Sequence, residues 1–218
     1  MDTSFKIFLV IHIIAGTIGL LSGTINIIAK KGDKRHRLVG KFFLYSMLTV
    51  GVSAFVLSTL HKNYFLFIVG VFTFYMAATG DRYLSLKGLN SGQKSKLIDW
   101  LLTIFMLLFG LAFIVFGIYH LTRSNTFGIV FIVFGFIGLR MVASDIKNYN
   151  GKSESANYWL TAHLQRMIGA YIAALTAFLV VNSKYFEGLI PGYVIWLLPT
   201  VIFVPLIVKW SREYERVR

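Results

Sequence analysis

The sequence of 218 residues contains no cysteine, only three prolines and only nine acidic residues. The absence of cysteine excludes a disulfide scaffold, a thiolate zinc site, an iron–sulfur centre and a cysteine nucleophile. Charged residues make up 14% of the chain, whereas an average soluble domain has about 25%. Hydrophobic residues make up 56%, which excludes a disordered chain, because disorder requires low hydrophobicity. These figures predict a membrane protein that crosses the bilayer several times.

Long apolar stretches define the expected architecture. A helix that spans a bilayer needs about 20 mostly apolar residues, and the alternating pattern of a transmembrane β-barrel is missing. The first stretch has no small-residue cleavage site, so we expect a permanent helix rather than a signal peptide. The sequence predicts an all-α, polytopic membrane protein, a seven-helix bundle forming a single transmembrane domain over residues 1–218. Its helices are expected at Phe5–Ala29, Phe42–Leu60, Tyr64–Gly80, Ile98–His120, Thr126–Ser144, Tyr158–Asn182 and Leu189–Val208.

The positive charges predict how the bundle is oriented. The net charge is +13, and 17 of the 22 Lys and Arg residues fall in alternate loops and the C-terminal tail. Short cytoplasmic loops carry an excess of Lys and Arg, so we expect the N-terminus outside and the C-terminus in the cytoplasm. The same distribution favours the lipid bilayer and anionic lipid headgroups as partners of the basic loops, and it argues against nucleic acid. Arg166 is the cation that lies deepest within a predicted span.

Small residues mark the helix faces that we expect to pack inside the bundle. The first helix carries His12, Gly16, Gly19, Gly23 and Asn26 on one stripe. The fourth, fifth and sixth helices carry similar stripes of glycine or alanine. Small residues let helix backbones approach closely in membranes, so close packing accounts for the glycines and alanines. The polar residues on these stripes call for another explanation.

A buried cation is the most informative polar residue. Arg166 lies about 12 Å from the start of its helix at 1.5 Å per residue, with His163, Trp159 and Met167 nearby in sequence. A charge inside a span usually marks a function or a partner. Neighbouring helix ends add Tyr75, Asp81, Asp99 and Arg140 to this candidate ligand site, and His36 lies in the adjacent basic loop.

Two interpretations of this polar site remain open. Its cations suit an anionic or electronegative ligand, such as a carboxylate, a phosphate, a quinone carbonyl or a haem propionate. The alternative is a structural ion pair of Arg166 or Arg140 with Asp81, Asp99 or Asp145, because a pair also offsets the cost of burial.

The five histidines allow a weak hypothesis of haem b binding. A bis-histidine haem needs two ligands that project from helices at the same depth. His12 with His120 or His61 is the candidate pair for haem or a metal near the outer side, and His163 with His36 is a poorer inner pair. Lone histidines on packed faces are more commonly hydrogen-bonded structural residues.

Other activities have less support. The sequence has no HExxH or HxxxH motif for zinc and no GxSxG motif for a serine hydrolase. A coupled transporter usually has carboxylates near the bilayer midplane, and none of the nine acidic residues is expected there. A passive small-solute transporter or channel and a scaffold subunit remain alternatives, and oligomeric state is left open.

Two stretches resemble a known group of proteins. The first includes His12-x-x-x-Gly16 and, further on, His36-Arg37-Leu38-Val39-Gly40-Lys41. The second is Trp159-x-x-x-His163-x-x-Arg166-Met167-Ile168-Gly169-Ala170. Together they resemble an uncharacterised family of bacterial multi-pass membrane proteins, a domain of unknown function. The resemblance implies a bundle of about seven helices in the bacterial cytoplasmic membrane, and it transfers no reaction. It draws attention to His36, which we expect to anchor at the headgroups rather than to fold over the polar site.

Overall fold

The computed structural model describes residues 3–186, 188 and 191–216. In these residues the chain forms seven long α-helices and two 3-10 turns, and no β-strand. All seven helices are long and apolar enough to cross a membrane, which confirms the predicted all-α bundle. The helices are α1 (Thr3–Ile28), α2 (Lys34–Leu60), α3 (Tyr64–Tyr83), α4 (Leu97–Thr122), α5 (Gly128–Tyr149), α6 (Tyr158–Val181) and α7 (Gly192–Arg216).

Several helices extend beyond the apolar stretches that predict them. Helix α2 begins at Lys34 rather than Phe42, and α5 ends at Tyr149 rather than Ser144. At the start of α2, Asp33 accepts a hydrogen bond of 2.7 Å from the His36 backbone N–H, which is an N-cap. Hydropathy detects the apolar part of a helix, whereas backbone hydrogen bonding continues into the polar turns. The predicted start of the seventh span, Leu189, lies outside the described residues.

Helix α3 occupies the centre of the bundle. It contacts α2, α4, α5 and α6, whereas α1 packs on α2 and α6, and α7 packs mainly on α6. Burial follows this order: two thirds of the apolar window of α3 is buried, against 6% for α1 and 17% for α7. The exposed faces of α1 and α7 are rich in isoleucine, leucine and valine, as expected for surfaces in contact with lipid.

The glycine stripes bring helix backbones close together, as the sequence predicts. A Cβ atom at Gly135 would lie 2.9 Å from the carbonyl oxygen of Gly110, and one at Gly117 would lie 2.8 Å from that of Gly128. These contacts seat α4 directly on α5. On α1, a Cβ at Gly23 would lie 2.5 Å from the ring of Tyr171 in α6. The glycines are therefore packing residues.

The ends of the helices form two distinct faces. We call one the basic end; it carries residues 29–33, 84–96 and 150–157 and the C-terminal end of α7. Contacts across it join these segments: the Lys31 ammonium lies 4.7 Å from the ring centroid of Trp210, and Asn90 donates to the Ser153 carbonyl at 3.0 Å. At the opposite end, aromatic pairs such as Phe5 with His61 and Phe65 with Trp196 close the bundle.

Part of the basic end is covered by a folded connection between α3 and α4. The Tyr158 hydroxyl donates to the Leu86 carbonyl and accepts from the Leu89 N–H at 2.9 Å. These residues belong to a small hydrophobic cluster that is separate from the central core of the bundle. We call it the tyrosine cap; its members are Tyr83, Leu86, Leu89, Tyr149 and Tyr158. The tyrosine cap lies over the ends of α3, α5 and α6 at the basic end and shields the side chains beneath it from solvent.

Candidate functional site

Beneath the tyrosine cap lies a buried ion pair between Asp145 of α5 and Arg166 of α6. The Arg166 Nη2 atom donates to Asp145 Oδ1, and the two side chains are 4% and 0% exposed. Of the two interpretations of Arg166, the structural pair is therefore the arrangement that the structure contains. A buried pair is tolerated only when further hydrogen bonds satisfy the remaining polar atoms of both groups.

The Asp145 carboxylate has those further partners. Its Oδ2 accepts from the Tyr75 hydroxyl at 2.5 Å and from the Thr103 hydroxyl at 3.1 Å. Its Oδ1 also accepts from the Tyr83 hydroxyl at 2.6 Å. Four donors from three helices, α3, α4 and α6, therefore converge on one carboxylate of α5. The carboxylate is saturated with hydrogen bonds and holds α3, α4, α5 and α6 together.

The Arg166 guanidinium is satisfied in the same way. Its Nη1 donates to the Thr79 hydroxyl at 2.5 Å. Its Cζ lies 5.0 Å and 4.9 Å from the ring centroids of Tyr75 and Tyr83, so two aromatic faces also receive its charge. We call Asp145, Arg166, Tyr75, Tyr83, Thr79 and Thr103, with Asn148 and Tyr149 at its edge, the Asp145 network.

A second ion pair lies nearer to the surface of the basic end. Arg82 donates to Asp99 through Nε at 2.7 Å and through Nη2 at 3.1 Å, a bidentate pair. The same carboxylate accepts 2.7 Å from the Lys96 backbone N–H and so caps the start of α4. Asp99 thus fixes the end of α3 to the start of α4. Both of its oxygens are occupied.

The two histidines of the basic end, His36 and His163, are not part of either ion pair. His163 bonds to the carbonyl oxygen of Gly80 through Nδ1 at 2.8 Å. Gly80 allows this contact because a Cβ there would lie only 3.1 Å from Arg166 Cβ and 3.3 Å from Met167 Cε. His36, at the start of α2, lies within electrostatic range of both His163 and Lys31. His36 and His163 are therefore electrostatic neighbours at the basic end.

Two polar atoms in this region are buried without a partner. The Nδ1 atom of His36 and the Oδ1 atom of Asn26 have no hydrogen-bond partner. The amide of Asn26 lies against Gly40, where a Cβ would be 3.1 Å from Nδ2, and Gly40 is one helical turn after His36. We call Asn26, Lys31, His36 and His163 the histidine cluster.

Lys31 forms the solvent side of the histidine cluster. Its Nζ donates to the carbonyl oxygens of Asn26, Ile27 and Ala29 at 2.9, 2.5 and 3.1 Å. It therefore caps the end of α1, where the helix dipole favours a cation. Partial burial lowers the pKa of Lys31 below its ordinary value. Its position over Trp210 also ties this end of α1 to α7.

The remaining candidate residues lie outside both groups. Arg140 and Asp81 are exposed on α5 and α3, although Asp81 is an electrostatic neighbour of His163. The ring of Trp159 lies 4.4 Å from the Lys87 ammonium and packs against the tyrosine cap. Met167 packs against the central hydrophobic core.

The candidate haem ligands are separated from one another. His12 on α1 bonds to the Ser53 hydroxyl of α2 at 2.8 Å, in the interior of that helix pair. His120 on α4 bonds to Asn125 at 3.1 Å and stacks on Phe131. His61 packs on Phe5, about two helical turns from His12 along α1. Among the described residues, no three His, Asp or Glu side chains converge as a metal site would require.

The sequence candidates did not include several members of the Asp145 network, among them Tyr83, Thr103, Asn148 and Tyr149. Asn148 donates to the Tyr83 hydroxyl at 3.0 Å, and the hydroxyl oxygens of Thr103 and Tyr149 lie 3.4 Å apart. Tyrosines near helix ends are typical of a membrane interface, so they attract no attention in a sequence. The available signal is spacing, because Tyr75, Thr79 and Tyr83 recur every four residues on one face of α3.

Comparison with known proteins provides no relative: no family model, no curated protein and no solved structure matches the chain. The fold and the site therefore define the class on their own. This is a polytopic α-helical membrane protein with a saturated buried ion-pair network and, beside it, an incompletely bonded histidine cluster.

Proposed function

We propose that this protein binds a membrane-soluble ligand with a small polar head, of the quinone or quinol type, at the histidine cluster. The observation that carries the proposal is the pair of unpartnered buried atoms, His36 Nδ1 and Asn26 Oδ1. A buried polar atom without a partner costs about 1–3 kcal/mol, so such atoms call for a missing partner.

The chemistry of the cluster matches such a head. An imidazole N–H donates to a quinone carbonyl, and an amide oxygen accepts from a quinol hydroxyl. A quinol hydroxyl both donates and accepts, so it is able to bond to either His36 Nδ1 or Asn26 Oδ1. The ligand need not be anionic, because the charge of Arg166 is already balanced by Asp145. This narrows the range of ligands expected from the sequence to a neutral, amphipathic one.

Haem b and small-solute transport have less support than a quinone. The outer histidines His12, His61 and His120 are engaged with separate neighbours. The buried charges of the Asp145 network are paired with each other and are not available to coordinate a moving ion. Both functions remain alternatives that the experiments on the quinone proposal also address.

Titration of the purified protein with decylubiquinone, in its oxidised and reduced forms, tests the proposal. We expect saturable binding, and at least a tenfold weaker affinity in Asn26→Leu and His36→Phe. His120→Ala is the matched control, because it removes a histidine at the opposite end. Equal affinity of the four proteins, or no saturable binding to the native protein, would overturn the proposal. A Soret band in the purified protein that His163→Ala abolishes would replace the quinone with haem.

We also infer that the basic end faces the cytoplasm and that the protein resides in a bacterial inner membrane, as multi-pass proteins with this charge distribution do. The chain has no cysteine, so single cysteines are introduced directly and no native cysteine has to be removed first. In spheroplasts, a membrane-impermeant maleimide should label Lys62→Cys and leave Ser91→Cys unlabelled until the membrane is opened. The reverse pattern would place the basic end outside.

A further inference from the structure

A groove runs along the outward face of α7 near the basic end. It has a volume of about 600 Å³ and is lined by Val204, Pro205, Val208, Lys209, Arg212 and Glu213. All six residues are spaced so that they share one side of a single helix. The groove is apolar at one end and charged at the other.

Contacts on the other side of α7 determine which face points outward. Asn157 donates to the Tyr214 carbonyl at 2.7 Å, and Gln165 donates to the Ser211 hydroxyl at 3.3 Å. Trp210 is held under Lys31. These three contacts fix the rotation of α7 against α6 and the end of α1. Val204, Val208 and Arg212 are consequently exposed.

The order of residues along the groove matches the layers of a bilayer. The valines and Pro205 lie toward the centre of the helix, and Lys209 and Arg212 lie at its basic end. Val204 and Arg212 are about 12 Å apart along the axis at 1.5 Å per residue. This separation is long enough for Val204 to lie beside acyl chains while Arg212 lies among the headgroups.

The cations of the groove are available to a ligand. Among the described residues the ion pairs are Arg82–Asp99, Lys147–Glu154 and Arg166–Asp145, so neither Lys209 nor Arg212 is paired. Glu213 lies one turn from Lys209 and leaves the groove with a net positive charge. Phosphate is the group that unpaired Lys and Arg at a membrane surface attract.

From these observations we propose that the α7 groove is a binding site for one anionic glycerophospholipid. The phosphate is bound by Lys209 and Arg212, and an acyl chain lies along Val204, Pro205 and Val208. Glu213 accepts a hydrogen bond from a headgroup hydroxyl. The site does not depend on the quinone proposal, because it lies on a different helix face and uses different residues.

Fluorescence of Trp210 tests this site, because its ring lies on the same helix turn as Lys209. In a background with Trp100, Trp159 and Trp196 replaced by phenylalanine, the protein is placed in vesicles containing brominated phosphatidylglycerol or brominated phosphatidylcholine. We expect quenching of Trp210 at about fivefold lower mole fraction of phosphatidylglycerol, the preference that one net charge near the surface confers. Lys209→Ala/Arg212→Ala should abolish this preference.

Matched variants keep the test specific. Lys62→Ala/Lys184→Ala removes two cations from the opposite end and should leave the preference unchanged. Should the tryptophan background fail to fold, native mass spectrometry of the natural chain with phosphatidylglycerol supplies the same comparison of variants. Equal quenching by the two lipids, or a preference that survives in Lys209→Ala/Arg212→Ala, overturns the proposal. So does self-association through α7 that persists when lipid is in excess.

Discussion

The Asp145 network and the histidine cluster meet at α6, where Arg166 and His163 lie one turn apart, yet the two groups differ in how completely their polar atoms are bonded. The network buries two full charges, and each of them has several partners from different helices. The cluster buries fewer charges but leaves His36 Nδ1 and Asn26 Oδ1 without partners. Gly80 joins the two, since it contacts Arg166 and accepts from His163.

This difference teaches that the burial of a charged side chain does not by itself identify a ligand site in a helical membrane protein. Among the described residues Arg166 is the most buried cation, and its bonds to Thr79 and Asp145 join α3, α5 and α6. In the part of the chain that the structure describes, the buried side-chain atoms without a partner are His36 Nδ1 and Asn26 Oδ1 of the histidine cluster and the hydroxyls of Thr73 and Thr161. Unmet hydrogen-bonding capacity, rather than buried charge, therefore distinguishes the candidate binding region from the structural one.

The largest expected effect is in the network. Asp145→Ala leaves Arg166 buried without its counter-charge, which should lower the free energy of unfolding by about 3–5 kcal/mol. Unfolding by SDS in mixed micelles measures this loss. Arg140→Ala removes an exposed cation from the same helix and should change stability little. A loss below about 1 kcal/mol in Asp145→Ala would contradict a structural role for the pair.

A smaller loss of unfolding free energy is expected when one hydrogen-bond donor to the Asp145 carboxylate is removed. Tyr83→Phe deletes a hydrogen bond to a charged acceptor and leaves Asn148 Nδ2 without its partner, so we expect a loss of about 1.5–3 kcal/mol. Tyr45→Phe is the matched control, because Tyr45 is 64% exposed. Equal SDS unfolding midpoints for the two variants would show that the network does not need this hydroxyl.

Gly80→Ala tests the junction between the two regions. The added Cβ would lie 3.1 Å from Arg166 Cβ, which the network prevents from moving away. Overpacking of this kind costs about 1–3 kcal/mol, of which improved helix propensity recovers up to about 1 kcal/mol. The control is Gly16→Ala, where the nearest atom would be 3.9 Å away and only the gain applies. An unfolding temperature of Gly80→Ala equal to that of Gly16→Ala would contradict close packing at Gly80.

The smallest effect, and one of opposite sign, is expected in the histidine cluster. Without ligand, Asn26→Leu replaces an unpartnered polar group with an apolar one of similar size, so stability should be unchanged or slightly increased. The same substitution at Asn148, whose amide is bonded to Tyr83, should lower the unfolding free energy by about 1 kcal/mol or more. If both variants lose stability equally, the two regions do not differ in the proposed way.

Much of the fold could be predicted from the sequence because each helix is encoded locally. Seven apolar stretches of sufficient length specify seven helices, since a backbone in lipid must bond to itself. Glycines at spacings of three and four residues indicate the packed faces, and the contacts of Gly110, Gly117, Gly128 and Gly135 agree with this. The predicted positions of the helix ends were less accurate. The N-cap at Asp33 and the polar turns at the helix ends are not apolar, so hydropathy does not detect them.

The candidate site was less accessible to prediction, because its contacts join residues that are far apart in the chain. Arg166 was visible as a cation within a predicted span and Asp145 as a carboxylate next to one, but Asp81, Asp99 and Arg140 were equally plausible members of an ion pair. Tyr83 and Thr103 reach the same carboxylate from other helices, 62 and 42 residues away. No periodicity within one helix specifies such a convergence.

The sequence by itself determined that this chain forms seven apolar helices, with its cations concentrated at one end. Both properties follow from local composition and from the cost of exposing backbone or charge to lipid. Only the tertiary structure decided which buried polar groups are bonded to each other and which are left over. That outcome depends on how the helices are rotated and how closely they approach, and it is the reason why the functional hypothesis moved from Arg166 to His36 and Asn26.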